Sequence, residues 1–76
     1  MKELVVYIAK NLVNNPDAVQ IEELNRGRNY VDLHMTVDPK DMGRVIGRRG
    51  RVINAMRSLV RVAAIKQGKR VNLEIH

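Results

Sequence analysis

A Gly-x-x-Gly segment flanked by aliphatic and basic residues constrains the fold of this chain more than any other feature. Residues 45–53 read Val-Ile-Gly-Arg-Arg-Gly-Arg-Val-Ile. Glycine lacks a Cβ, so Gly47 and Gly50 can adopt backbone angles closed to other residues and let a ligand approach the main chain. Aliphatic residues at positions 45, 46 and 53 make a chance match about a hundredfold rarer than for the two glycines alone. The segment predicts a tight loop that accepts a phosphate group.

The charge of the chain is divided unevenly about this segment. Residues 1–43 contain five Lys/Arg and seven Asp/Glu, whereas residues 44–76 contain nine Lys/Arg and one Asp/Glu, so the two parts carry −2 and +8. A basic run is often only a solvated face, but here it coincides with the glycine loop. That coincidence favours a polyanionic partner, whose phosphates would be neutralised by the arginines.

Composition excludes several classes of protein. The chain has no cysteine, and its two histidines, His34 and His76, are too few to build a metal site. No nucleophile with a nearby base and no paired carboxylates are visible, so the chain is predicted not to be an enzyme and to need no cofactor. Its 76 residues predict one domain, 1–76. No apolar run is long enough for a signal peptide or membrane span, which predicts a soluble, cytoplasmic protein.

The spacing of apolar residues predicts an α+β fold in the order α-β-β-α-α-β. Three- and four-residue spacing predicts helices over 3–14 and from the loop to about 66, and Asp38 is the expected cap of a helix over 39–46. Alternation predicts strands at 19–22, 31–37 and 71–75, with a hairpin turn at 26–29. Gly43, inside the second helix, is explained equally well by close helix packing and by approach of a ligand backbone.

The element order and the loop resemble a type II KH domain, with three helices packed on a three-stranded sheet. The run from Asp38 to Ile53 is similar to the KhpA family of small bacterial stand-alone KH-domain proteins. This resemblance implies binding of single-stranded RNA, a homodimer, a KhpB (Jag-type) protein as partner, and a role as post-transcriptional regulator or RNA chaperone linked to cell shape and cell wall organisation.

The resemblance also implies which residues contact RNA. The phosphate-contacting loop corresponds to residues 47–50, and the neighbouring residues extend the site. The predicted RNA-binding residues are Val45, Ile46, Gly47, Arg48, Arg49, Gly50 and Arg51. Because Tyr7 and Tyr30 are the only aromatic residues, bases are expected to lie against aliphatic side chains such as Val37, Val45 and Ile46 rather than on a stacking platform. Tyr7 is expected to be packed, and Tyr30 to be solvated or, alternatively, to contact RNA.

A protein-interaction module in which RNA binding is secondary is the alternative function. The helix after the loop carries more apolar residues than one buried stripe needs, so part of it is expected to pack against a second chain. Ile53, Met56 and Val60 share one helical face and are the predicted dimer seam. The other explanation of the same residues is a helix wedged between the sheet and the first helix.

Overall fold

The computed structural model describes residues 1–76, and its elements follow the predicted order α-β-β-α-α-β. The helices and strands are α1 (Lys2–Leu12), β1 (Gln20–Asn25), β2 (Tyr30–Thr36), α2 (Met42–Ile46), α3 (Arg51–Lys66) and β3 (Arg70–Ile75). Short 3-10 turns at Pro16–Ala18, Pro39–Asp41 and Arg48–Gly50 connect them. The helix predicted over 39–46 is therefore divided, with a 3-10 turn before α2.

The three strands form one mixed sheet in the order β1-β2-β3. β1 runs antiparallel to β2, with Gln20 opposite Thr36, and the predicted turn at 26–29 joins them. β2 runs parallel to β3, with Tyr30 opposite Arg70. A parallel pair needs a crossover connection, which α2 and α3 provide. The α+β class and the KH arrangement are confirmed, and β3 is left as an open edge beside α3.

One face of the sheet packs against the helices. Alternation along β2 turns Val31, Leu33 and Met35 toward this layer, where each is buried. They join a single cluster of twelve buried apolar residues that also takes side chains from α1, α2, α3 and β3. None of the helices combines the length and the apolarity that a membrane crossing requires.

The core side of α3 corrects the predicted dimer seam. Ile53, Met56 and Val60 are 4%, 2% and 0% exposed, and all three belong to the core of the single chain. These three residues and Ala64 recur at three- and four-residue spacing, so they form one stripe along α3, and this stripe packs against the sheet. The explanation that the helix is wedged against the sheet is correct for these residues. The prediction for Tyr7 is also wrong, since its side chain is 70% exposed.

Candidate nucleic-acid interface

The loop between α2 and α3 has a backbone that most residues cannot adopt. Gly47 has φ 76° and ψ 172°, Arg49 has φ 58° and ψ 26°, and Gly50 has φ 74° and ψ 15°. Arg49 is the only residue other than glycine with a positive φ in the whole chain. Such a conformation costs free energy and persists where the surroundings impose it. The loop is therefore held in its shape by the structure on both sides.

The two glycines of the loop are required for different reasons. A Cβ on Gly47 would lie 2.5 Å from Val52 Cγ2 and 2.9 Å from the Val52 backbone nitrogen. At Gly50 the nearest atom to such a Cβ is Asn54 Nδ2, at 3.5 Å, which is ordinary contact. Gly47 is thus required by both its backbone angles and its packing, whereas Gly50 is required by its angles alone.

Backbone hydrogen bonds close the loop at the start of α3. The Gly47 N–H donates to the Gly43 carbonyl at 2.9 Å, and the Gly50 N–H donates to the Gly47 carbonyl at 3.1 Å. No side chain caps the N-terminus of α3. The Arg51 N–H, the first amide of α3, donates to the Arg48 carbonyl of the preceding turn. The start of α3 is the positive end of its dipole, so an anion is favoured at this position.

Four arginines in the loop or next to it in the chain have no carboxylate within ion-pair distance. Arg44, Arg48, Arg49 and Arg51 are all exposed. The ion pairs of the protein are elsewhere, between the terminal amino group and Glu3 and between Arg26 and Asp32. Guanidinium groups bind phosphate oxygens two at a time, so this cluster can hold a phosphodiester backbone.

Two aspartates hold the segment that precedes α2 against the residues that follow α1. The Asp41 carboxylate is 2% exposed and accepts hydrogen bonds from the backbone N–H groups of Asn14 and Asn15, both at 3.1 Å. Asp38 accepts from the Lys40 N–H at 2.9 Å and from Asn15 Nδ2 at 3.2 Å. The Lys40 amide, followed by the Asn15 side chain, lowers the pKa of Asp38. Asp38 is the cap that the sequence predicts, whereas the burial of Asp41 was not foreseen. Together they join the end of α1 to the start of the loop segment.

A groove of about 240 Å³ runs beside the loop between α3 and the open edge of β3. We call it the proximal groove; its lining residues are Asn54, Arg57, Val60, Arg61, Val71, Asn72, Leu73 and Glu74. Arg57 spans it, with Nε donating to the Leu73 carbonyl at 3.0 Å and Nη1 donating to Asn54 Oδ1 at 3.0 Å. The groove therefore presents polar groups that are held in fixed positions between α3 and β3.

The structure changes the composition of the predicted groove. Residues 46–51 lie together at the loop, but the side chains of Val37 and Val45 are 5% and 0% exposed and form part of the core. They are not available as an aliphatic wall for bases. The lining is instead mainly polar, and Asn54 and Arg57 are the residues that the sequence analysis missed. A usable signal was their position one and two helical turns after Gly50 on the same side of α3.

The structure excludes one of the two explanations for glycine at position 43. A Cβ at this position would meet nothing within 4 Å, so close helix packing is not the reason for glycine here. The approach of a ligand backbone stays a prediction. Tyr30 is 38% exposed, which fits both predicted alternatives, a solvated strand residue and a residue that contacts RNA.

Comparisons with known proteins agree with this geometry. The family described as KhpA/KhpB, KH domain, matches residues 2–75. The chain is 51% identical over 75 residues to the RNA-binding protein KhpA of Caldanaerobacter subterraneus subsp. tengcongensis, with 99% of both chains covered. It is 48% identical to the RNA-binding protein KhpA of Clostridium perfringens, again with 99% of both chains covered. Its identity to the protein of the same name from Aquifex aeolicus is 41%, over 99% of this chain and 94% of the relative.

Proposed function

This chain belongs to the KhpA/KhpB KH-domain family, and we propose that it binds single-stranded RNA by clamping the sugar-phosphate backbone at residues 47–50. The protein is a binding module and not an enzyme, in line with relatives that are named RNA-binding proteins. KH domains hold about four nucleotides of backbone at this loop. The observation that carries the proposal is the set of exposed, unpaired arginines around the uncapped N-terminus of α3.

The experiment replaces the two central arginines of the loop by aspartate. Asp tolerates a left-handed backbone better than most residues, so Arg49→Asp does not add strain at φ 58°. The Arg48→Asp/Arg49→Asp variant should fold normally and lose at least about tenfold in RNA affinity, because two phosphate-binding cations become anions. Fluorescence anisotropy with a labelled single strand measures this, with circular dichroism and thermal melting as the test of folding.

A control with the same change in net charge separates the loop from general electrostatics. Lys2→Asp/Lys10→Asp alters two exposed lysines on α1 and should retain most of the affinity. If the folded loop variant binds RNA as tightly as the wild type, or if both variants lose affinity equally, the loop is not the binding site.

Binding through phosphates should depend on salt and only weakly on sequence. With about three to five phosphates neutralised, the logarithm of the association constant should fall with the logarithm of salt concentration at a slope of about −2 to −3.5. Binding that is insensitive to salt, or several hundredfold selective for one short sequence, would contradict a clamp that reads the backbone.

A second proposal concerns self-association, and a different face of α3 supports it. Leu59 and Val62 are 53% and 54% exposed, and with the exposed Ala55 they form an apolar stripe at four- and three-residue spacing. This stripe lies away from Ile53, Met56 and Val60. We propose that two copies pack through it across a two-fold axis, which buries the same stripe on both chains.

Two variants on the same helix test this dimer. Leu59→Lys should shift sedimentation from dimer to monomer while the domain remains folded, because the lysine would be buried only in the pair. Ile53→Lys, which places a charge in the core of a single chain, should unfold the domain. A wild type that is monomeric at high micromolar concentration would refute the dimer.

Family membership alone supports the physiological part of the proposal. The protein would act in the cytoplasm as a post-transcriptional regulator or RNA chaperone, with a KhpB (Jag-type) partner, in the control of cell shape and cell wall organisation. Cross-linking of RNA to the protein in cells, combined with co-purification of protein partners, tests both parts. Recovery of a protein partner without cross-linked RNA would favour the alternative of an interaction module.

A further inference from the structure

A second groove lies at the end of α3 that is remote from the loop. We call it the distal groove. Its volume is about 360 Å³, and its lining residues are Tyr30, Arg61, Ala64, Ile65, Lys69, Arg70 and Val71. It lies where α3 ends, β3 begins and β2 begins. The Arg70 N–H donates to the Asn29 carbonyl at 2.6 Å, which fixes the start of β3 against the hairpin turn.

The distal groove has the charge of an anion site. Three of its lining residues, Arg61, Lys69 and Arg70, are cations, and none is an acid. None of the three has a carboxylate within ion-pair distance, since the only ion pairs of the chain involve Glu3 and Asp32. Unneutralised cations around a concave surface attract phosphate groups.

The same groove presents apolar surface that is suited to a base. Tyr30 and Ile65 are 38% and 73% exposed. Tyr30 is one of two tyrosines in a chain with no Phe or Trp, and it is directly opposite Arg70 across the parallel strand pair. An exposed aromatic ring beside cations is the combination that binds single strands without sequence preference.

The proximal and distal grooves form one path along α3. Arg61 and Val71 line both of them. The helical rise from Arg51 to Ile65 is about 21 Å, which is the distance along α3 from the loop to the far end of this path. A strand held at the loop and directed along the open edge of β3 would therefore arrive at Tyr30.

We propose that the distal groove is a second contact site for the same RNA strand, and this inference rests on the function proposed above. One base stacks on Tyr30, and Arg61, Lys69 and Arg70 contact the flanking phosphates. The site binds single-stranded RNA that extends beyond the nucleotides clamped at residues 47–50. An acidic protein segment would meet the same charges but would not use the tyrosine ring as a stacking surface, so the two ligands can be distinguished.

The test compares two oligouridylates, one of about four nucleotides and one of about ten nucleotides, on the intact protein. Tyr30→Ala should weaken binding of the longer strand about tenfold, as loss of one stacked base predicts, and leave the shorter strand unchanged. Tyr30→Phe keeps the ring and should bind both strands as the wild type does. Lys69→Ala/Arg70→Ala should again weaken only the longer strand and reduce the magnitude of its salt slope by about 1.4, or about 0.7 for each lost cation.

Each outcome decides between the two proposals. If the wild type binds the shorter strand but Tyr30→Ala binds the longer strand normally, the distal site is refuted and the loop clamp stands. If neither strand binds the wild type, both proposals fail. Equal losses for both strands in a folded variant, or equally tight binding of a polyglutamate peptide of matched charge, would also overturn the distal RNA site.

Discussion

The two ends of α3 carry similar groups but differ in how tightly the glycine beside each end is packed. Each end has a glycine with positive φ and a group of cations without carboxylate partners. At the N-terminal end, Gly47 packs against Val52 so closely that no side chain fits. At the C-terminal end, Gly68 has φ 68°, and a Cβ there would meet nothing within 4 Å.

In the RNA binding proposed above, this difference gives the two ends of α3 different roles. The loop is constrained by its angles, by packing on Val52 and by the aspartates that fix α2, so its amides are held in position before a ligand arrives. A preorganised site loses less free energy to ordering when it binds. The turn at Gly68 lacks such close packing at its glycine, and backbone hydrogen bonds stabilise it, such as that from the Lys69 N–H to the Ala64 carbonyl at 2.8 Å. In the RNA binding proposed above, a firm clamp at the loop and a more permissive contact at the distal groove would suit a strand of variable sequence.

Gly47→Ala should have the largest effect. The added Cβ overlaps Val52 while the backbone keeps angles that only glycine adopts readily, so we expect a loss of about 3 kcal/mol in the free energy of unfolding. Urea denaturation measures this loss. For a domain with roughly 4–11 kcal/mol of total stability, this is a large share. A loss below that of Gly68→Ala would show that the loop can shift freely and would erase the contrast between the two ends.

Asp41→Asn should come next, because it weakens the anchor that exists only at the loop end. The asparagine side chain has one acceptor oxygen, so one of the two amides at Asn14 and Asn15 would face an N–H group. We expect a loss of about 2 kcal/mol in urea denaturation. Asp17→Asn removes the same charge from an exposed position and should change stability little. Equal effects of the two substitutions would mean that charge, rather than the buried contact, matters.

Features that depend on local sequence patterns could be predicted, whereas contacts between residues far apart in the chain could not. Helices and strands follow apolar periods of 3.6 and 2, which are local, so their order and the loop between α2 and α3 were predictable. Which side of α3 packs against the sheet could not be predicted, because the exposed Leu59 and Val62 are as apolar as the buried Ile53 and Val60. The Asp41 contacts join residues 26 and 27 positions apart, and the proximal groove depends on how α3 packs on β3. No local pattern encodes those distances.

Gly68→Ala tests the permissive end. Alanine fits the open space but not the left-handed angles, so we expect a loss of about 1 kcal/mol in the free energy of unfolding. Gly68→Asn should lose less than alanine, because asparagine adopts these angles more readily. If alanine costs as much here as at Gly47, the turn is packed more tightly than its open surroundings indicate.

The smallest effect should be an acid transition confined to the loop end. The Lys40 N–H and the Asn15 side chain favour the ionised form of Asp38, so its pKa lies below the ordinary value of 3.8. A group whose pKa is lowered by folding stabilises the protein above its unfolded value, and this stability is lost as the pH falls through the folded value. The difference in stability between wild type and Asp38→Asn, which keeps a capping oxygen, should therefore shrink below about pH 4.

Nuclear magnetic resonance can locate this acid transition within the fold. The Lys40 amide signal should titrate with a midpoint below 3.8, because its N–H donates to Asp38. The Gly68 and Lys69 amides should not follow it, since their backbone bonds go to carbonyl groups of α3. A Lys40 midpoint at or above the ordinary value would show that the cap does not hold in solution. A matching transition at Gly68 would show that the two ends of α3 respond as one unit. That result would contradict the proposed distinction between a fixed end and a permissive end.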